Sequence, residues 1–272
     1  FLINHISVTF RLPKTPEMPI FLLPPKSMTS VSRSRKGFTL IELLTVIAII
    51  GVLAAVLFPG VQGVMRSAKK NSALNKLRSI GQGYMNWAQG GKVMTRTGVW
   101  SAAGNVATKT SEYAANLAAG ASLDSGELWF VDGDAMLERN TIPNLPKNVV
   151  RTNAGIVQID TLFINAITAG TGTSWTVYSG TSSGVVGSVA VPLAWSRGLS
   201  NAGVWPAADG SNTGSCWGPE GGHIVYGDGH VSWCNDTLVT GQNYFTDTAG
   251  AQTANWLQSR GVPATAQALP QQ

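Results

Sequence analysis

The sequence places one carboxylate where carboxylates are rarely found. Glu42 is the only charged residue within 38–58, a run of 21 residues that is mostly apolar. A helix of that length rises about 30 Å, the thickness of the hydrocarbon core of a bilayer. A charge in such a span is costly and usually has a partner, so we expect Glu42 to pair with a cation. The alternative is that Glu42 only snorkels to the membrane surface.

Ten residues around this carboxylate carry a family resemblance. Residues 35–44 read Arg-Lys-Gly-Phe-Thr-Leu-Ile-Glu-Leu-Leu, which resembles the prepilin signature shared by type IV pilins and the pseudopilins of type II secretion systems. The resemblance covers about residues 33–90. It implies that a prepilin peptidase cuts on the cytoplasmic side between Gly37 and Phe38 and methylates the new amine of Phe38. The mature chain would then be 38–272.

Cleavage would also give Glu42 its partner. The new α-amino group at Phe38 can pair with the carboxylate of Glu42, four residues on, in the same subunit or a neighbouring one. Inside a low-dielectric helix bundle, this ion pair would offset part of the desolvation cost of both charges. We therefore expect Glu42 to act in assembly.

The basic charge of the chain is confined to the predicted leader, 1–37. This segment holds six basic residues and one acidic residue, whereas 38–272 holds 13 of each. The basic excess therefore indicates targeting, and it argues against a nucleic-acid-binding face. A start at Met28 would leave a short basic leader ending at Gly37, and residues 1–27 would then be untranslated or part of a longer leader.

The apolar run continues into a second helical pattern. Residues 38–59 are predicted to span the membrane and form a filament core, and 60–90 to continue the helix as an amphipathic segment up to Gly90. Pro59 and Gly60 should kink this helix without ending it. The positive-inside rule weakly favours a cytoplasmic N-terminus, and the resemblance implies the same orientation, with the head in the periplasm.

Residues 91–272 are predicted to form a β-rich head, because short β-prone runs alternate with Gly- and Asn-rich turns. The runs are at 127–131, 174–178 and 185–191, and one short helix is expected near 111–119. The fold class is therefore α+β: a long N-terminal helix packed on an antiparallel sheet, which is pilin-like.

A hairpin is predicted around Gly227-Asp228-Gly229 within 221–234. This stretch resembles the His…Asp-Gly hairpin that closes one group of large prepilin-like proteins. A metal site formed by His223, Asp228, His230 and a cysteine is the alternative to a simple turn. Calcium held by loop carboxylates, as in some pseudopilin heads, is kept as a second alternative, although no ligand repeat supports it.

Cys216 and Cys234 are the only cysteines. Both follow the membrane span, so export would bring them to an oxidising compartment, and we expect a disulfide between them. Two buried free thiols are the alternative. Residues 214–217 match part of a papain-type motif, but too few residues follow Cys216 for the His and Asn of that chemistry, so a nucleophile is rejected.

Asp132-Gly133-Asp134 could bind calcium, but without an acidic repeat or terminal Glu it is interpreted as a turn. No pattern of catalytic residues points to an enzyme. The sequence therefore predicts a structural subunit of a type II secretion pseudopilus or a related type IV pilus-like filament, with no cofactor. Its expected partners are copies of itself or related subunits, the prepilin peptidase and an inner-membrane assembly platform. The alternative is a membrane-tethered binding or enzymatic head that uses the leader only for sorting.

Overall fold

The computed structural model describes the following residues: 37–89, 91–140, 144–170, 172–179, 187–188, 191–211, 213–235, 245–259, 262 and 266–269. The chain divides into two units, Phe1–Ala54 and Ala55–Gln272. Each unit is described by itself.

The dominant element is the helix α1, Leu40–Trp87, which passes through Pro59 without ending. In the first unit every described residue of α1 is exposed. In the second unit α1 stays exposed up to Ala68, and fully buried residues begin only at Ala73. The predicted long helix is confirmed. In the amphipathic segment predicted at 60–90, burial of the apolar side chains starts late, because Val61, Val64 and Met65 are exposed.

The head contains three shorter α-helices and nine strands within the described residues. The helices are α2 (Thr110–Ala121), α3 (Ala135–Asn140) and α4 (Thr161–Gly170). The strands are β1 (Val150–Asn153), β2 (Ile156–Ile159), β3 (Trp175–Ser179), β4 (Pro192–Ser196), β5 (Gly222–Tyr226), β6 (Val231–Cys234), β7 (Phe245–Thr246), β8 (Gln252–Thr253) and β9 (Gln267–Ala268).

Five of these strands form one antiparallel sheet in the order β6-β5-β4-β3-β9. The pairs β1-β2 and β7-β8 form separate two-stranded ribbons. The expected α+β architecture with an antiparallel sheet is therefore confirmed. The helix predicted near 111–119 is α2, the run at 174–178 is β3, and the predicted hairpin is β5-β6.

The three inner strands of the central sheet, β3, β4 and β5, are buried on both faces, and the alternation of side chains divides their residues between two apolar clusters. Val177 and Val225 belong to the cluster that includes Leu77, Ile80 and Tyr84 of α1. Their strand neighbours belong to the opposite cluster, which also includes the C-terminal aromatic residues: Tyr178, Trp195, Ile224, Tyr226, Phe245 and Trp256. This second layer was not expected from the sequence, which predicted only the packing on α1.

Close approach of α1 to the sheet depends on Gly81. A β-carbon at Gly81 would lie 2.5 Å from Cγ2 of Val225 on β5. Leu77 and Ile80, in the same part of α1, are completely buried. Within this unit, the helix therefore packs directly on β5 of the sheet.

One predicted strand is wrong. Part of the run at 127–131 forms a 3₁₀ helix, Gly126–Trp129. The N–H groups of Leu128 and Phe130 bond to carbonyls three residues back, at 3.4 and 3.3 Å, so the run curls instead of extending. The run predicted at 185–191 lies largely outside the described residues, and the strand observed next to it, β4, was not predicted.

Candidate functional site

The predicted cleavage point lies on exposed backbone at the start of α1. Gly37, Phe38 and Thr39 precede the helix, and Phe38 is 79% exposed. A β-carbon added at Gly37 would meet no atom of the described residues within 4 Å. The peptide bond between Gly37 and Phe38 is therefore open to an enzyme that approaches from outside the subunit.

Glu42 closes a capping box with Thr39 at the N-terminus of α1. The Thr39 backbone N–H donates to Glu42 Oε2 at 2.9 Å, and the Glu42 N–H donates to Thr39 Oγ1 at 3.3 Å. The Thr39 hydroxyl also donates to Oε2, at 2.8 Å. These bonds satisfy two donors that a helix N-terminus otherwise leaves free. They also place a negative charge at the positive end of the helix dipole.

The capping box was missed in the sequence, although Thr-x-x-Glu is its signature spacing. It gives Glu42 a second role beside the expected pairing with an amine. In the part of the chain that the structure describes, all the bonds of this carboxylate go to Oε2. Oε1 can therefore accept a hydrogen bond from a further donor while the capping box stays intact.

The expected disulfide between Cys216 and Cys234 is not formed, since both are free buried thiols. Their side chains lie in different apolar clusters, Cys216 in the one on α1 and Cys234 in the one on the opposite face of the sheet. The prediction assumed that flanking a hairpin brings two side chains together. The sheet separates them instead.

Both thiols are held in the protonated form. Burial raises the pKa of Cys234 to about 12 and that of Cys216 well above its ordinary value. The carboxylate of Asp134 reinforces the effect on Cys216, which contacts Asp134 Oδ2 at 3.2 Å and the Ser174 carbonyl at 3.1 Å. A thiol in such surroundings is a poor nucleophile.

Asp134 lies at the centre of a buried polar network in the head. It is completely buried, and its Oδ1 accepts from Arg197 Nη2 at 2.6 Å, while the Ser174 hydroxyl donates to Oδ2 at 2.7 Å. Arg197, only 1% exposed, also donates to the carbonyls of Ser211 and Gly214. One buried ion pair thus ties the turn before α3 to the loop that follows β4.

This arrangement refines the interpretation of 132–134. Gly133 adopts a positive φ of 87°, as the predicted turn requires. The second aspartate is more than a turn residue, because protein donors occupy both of its carboxylate oxygens. That environment does not fit a calcium ion, which needs free oxygen ligands.

His223, Asp228 and His230 do not converge on one point. The ring of His223 is packed edge-on against Trp233, with centroids 4.8 Å apart, and burial lowers its pKa from 6.5 to about 4. His230 Nδ1 lies 2.5 Å from Asp228 Oδ1, and its ring stacks on Tyr226. Asp228 accepts from the His230 N–H, as expected of a turn residue. Within the described ranges no group of three His, Cys, Asp or Glu residues could hold a metal ion.

A set of basic residues on α1 meets the head. Glu220 pairs with Arg66 at 2.7 Å and with Lys70 at 3.0 Å, and Lys70 also lies 4.0 Å above the ring of Trp233. Further along, Lys76 donates to the Phe130 carbonyl at 2.8 Å. These contacts hold the basic residues of α1 against the head. The charge of these residues alone did not reveal that role.

Comparison with known families finds a match for the N-terminal segment of the chain. Residues 32–58 match the model of the prokaryotic N-terminal methylation motif. No curated protein and no solved structure matches the chain. The chain therefore has a prepilin-like N-terminal segment. The helix α1 is long and apolar enough to cross a membrane, and its apolar 18-residue stretch is not buried in the structure. The head lies outside the matched residues.

Proposed function

We propose that this chain, with its prepilin-like N-terminus, is a structural subunit of a type II secretion pseudopilus or a related type IV pilus-like filament. One observation supports this most strongly. From residue 38 to residue 68 every residue is exposed, and Glu42 is the only acidic one among them. A bare apolar surface of this size needs a partner. Lipid would cover it before assembly, and the helices of other subunits would cover it afterwards.

The N-terminal turn supplies the assembly chemistry. Cleavage after Gly37 turns the backbone N–H of Phe38 into a charged amine next to the capping box. The cap holds the Glu42 carboxylate at the end of the helix, where Oε1 can accept a hydrogen bond from the amine of a neighbouring subunit. A buried charge without its partner costs several kcal/mol, so a subunit in the wrong axial register would be disfavoured by roughly that amount.

We also propose where the subunit is processed and how it enters the filament. The prepilin peptidase would process the precursor at the inner membrane, with the N-terminus in the cytoplasm and the head in the periplasm. An inner-membrane assembly platform would then move the subunit into the filament, among other copies or related subunits. We assign the head no catalytic role, cofactor or nucleic-acid partner.

Two measurements test the proposal. Intact-mass analysis of the protein from its native host should show a chain that begins at Phe38 with one methyl group on its amine. Filaments sheared from the same cells should contain it. A mature chain that still carries Arg33 to Gly37 would contradict the processing step. A correctly processed chain that stays wholly in the membrane, with no filament, would instead favour a tethered head.

A further inference from the structure

A groove with a volume of about 380 Å³ opens between the middle of α1 and the head, within the unit Ala55–Gln272. Four of its lining residues lie on α1: Gln62, Met65, Arg66 and Lys69. The opposite wall includes Trp217, next to the buried Cys216. None of the functions discussed above uses this groove.

The lining offers donors and no acidic side chain. Gln62, Arg66 and Lys69 contribute amide, guanidinium and ammonium groups, and none of the lining residues that the structure describes is Asp or Glu. Glu220 neutralises Arg66 in part, from outside the lining. Lys69 has no ion pair among the residues that the structure describes. The groove therefore carries uncompensated positive charge, which favours an anion.

The groove also lies where a membrane surface is expected. The exposed apolar side chains of α1 continue to Met65, which is 56% exposed. The 28 residues from 38 to 65 would span about 42 Å as a helix, close to the thickness of a bilayer with its headgroups. Arg66 and Lys69 follow directly. Helical side chains tilt toward the N-terminus, which for these two residues is the membrane side.

We propose that this groove binds the phosphate of an anionic phospholipid headgroup in the leaflet next to the head. Lys69 is the principal charge partner, and Arg66 and Gln62 donate further hydrogen bonds. Met65 and Trp217 provide apolar walls for the glycerol backbone. Binding requires that α1 enters a membrane, and it does not require that subunits assemble, so loss of filaments would leave this site unaffected.

The test uses the full-length protein in neutral detergent micelles, with lipid retention measured by native mass spectrometry. Phosphatidylglycerol should be retained at least about five-fold more strongly than phosphatidylcholine, since one basic residue near a membrane surface contributes about 1 kcal/mol. Lys69→Gln should remove most of this preference. Arg78→Gln is the matched control, because Arg78 is exposed on the same helix and is not part of the lining.

A second variant guards against a general loss of folding. Gln62→Glu places a carboxylate in the groove at an exposed position, and it should also abolish the preference while leaving the thermal unfolding midpoint unchanged. Equal retention of the two lipids would overturn the proposal, as would equal losses in Lys69→Gln and Arg78→Gln. If millimolar inorganic phosphate displaces phosphatidylglycerol and the two lipids are retained equally, the site binds a free anion. That result would also overturn the proposal.

Discussion

Two stretches of the single helix α1 have opposite relations to solvent. Residues 40–68 are exposed throughout, although most of them are apolar. Within 73–87, by contrast, Leu77, Ile80 and Tyr84 are at most 1% exposed and pack in the head core. Among the residues that the structure describes, the first stretch therefore has no packing partner like the head core that covers the second. The comparison shows that the described head buries residues of α1 only over 73–87.

The largest expected effect is on assembly, through the exposed stretch. Glu42→Val removes the charge and the two bonds that Thr39 donates to the carboxylate, and it should leave membrane insertion intact while filament incorporation falls by about ten-fold or more. The measurement is the ratio of sheared filament to membrane-bound monomer. Normal filaments from this variant would mean that Glu42 has no pairing role.

Two further variants separate the functions of Glu42. Glu42→Gln keeps a capping-box side chain and removes the charge, so it should assemble as poorly as Glu42→Val. Thr39→Val keeps the charge and removes the hydroxyl that caps the Glu42 N–H, which is worth about 1 kcal/mol, so it should assemble at an intermediate level. If Glu42→Gln assembles normally and Thr39→Val does not, the cap matters and the ion pair does not.

The second prediction concerns the buried pair of the head. Asp134→Asn leaves Arg197 buried and without its counter-charge, and it should lower the free energy of unfolding by about 3–5 kcal/mol. Glu220→Gln is the control: it removes the exposed carboxylate that pairs with Arg66 and Lys70 and should cost at most about 1 kcal/mol. Chemical denaturation of the detergent-solubilised protein measures both. Equal losses would show that burial of the pair has no energetic consequence.

The third prediction is a loss of head stability in acid. His223 has a pKa of about 4 in the folded state against 6.5 when exposed, because burial and then the charge of Lys70 disfavour its protonated form. The unfolded chain therefore takes up the proton first, and stability is lost as the pH falls from 6.5 toward 4. Between pH 7 and pH 5 this group alone should cost about 2 kcal/mol.

The control for this effect is His223→Phe, which keeps a ring against Trp217 and Trp233 but cannot titrate. Its unfolding free energy should change less over the same pH range than that of the wild type. Identical slopes in the two proteins would assign the acid sensitivity to the carboxylates, including Glu220 beside Lys70.

The smallest effect compares glycines in the two stretches of α1. Gly81→Ala places a methyl group 2.5 Å from Val225 and should destabilise the head by about 1–2 kcal/mol, after the gain in helix propensity is counted. Gly63→Ala meets nothing within 4 Å and should be neutral or stabilising by up to about 1 kcal/mol. Thermal unfolding of both variants measures the difference. A destabilising Gly63→Ala would mean that this stretch already packs closely on another partner.

Local patterns alone determined much of this protein. The prepilin-like segment, the helix that became Leu40–Trp87, α2, β3 and the hairpin around Asp228 could all be predicted, because each depends on residues close together in the chain. A helix needs only a long run without breakers, and a two-strand hairpin needs only its turn and alternating side chains. The capping box of Thr39 and Glu42 was equally local, and its spacing could have revealed it.

Only the tertiary structure decided the rest. The pairing of Asp134 with Arg197 joins residues that are 63 positions apart, and no local pattern reports it. Cys216 precedes the β5-β6 hairpin and Cys234 is its last residue, yet they enter different apolar clusters, because the sheet presents two faces. The basic side of α1 acquires its partner Glu220 only when the head folds against it. Contacts between distant residues depend on the packing of the whole head, since the energy that decides them comes from burial shared by many residues.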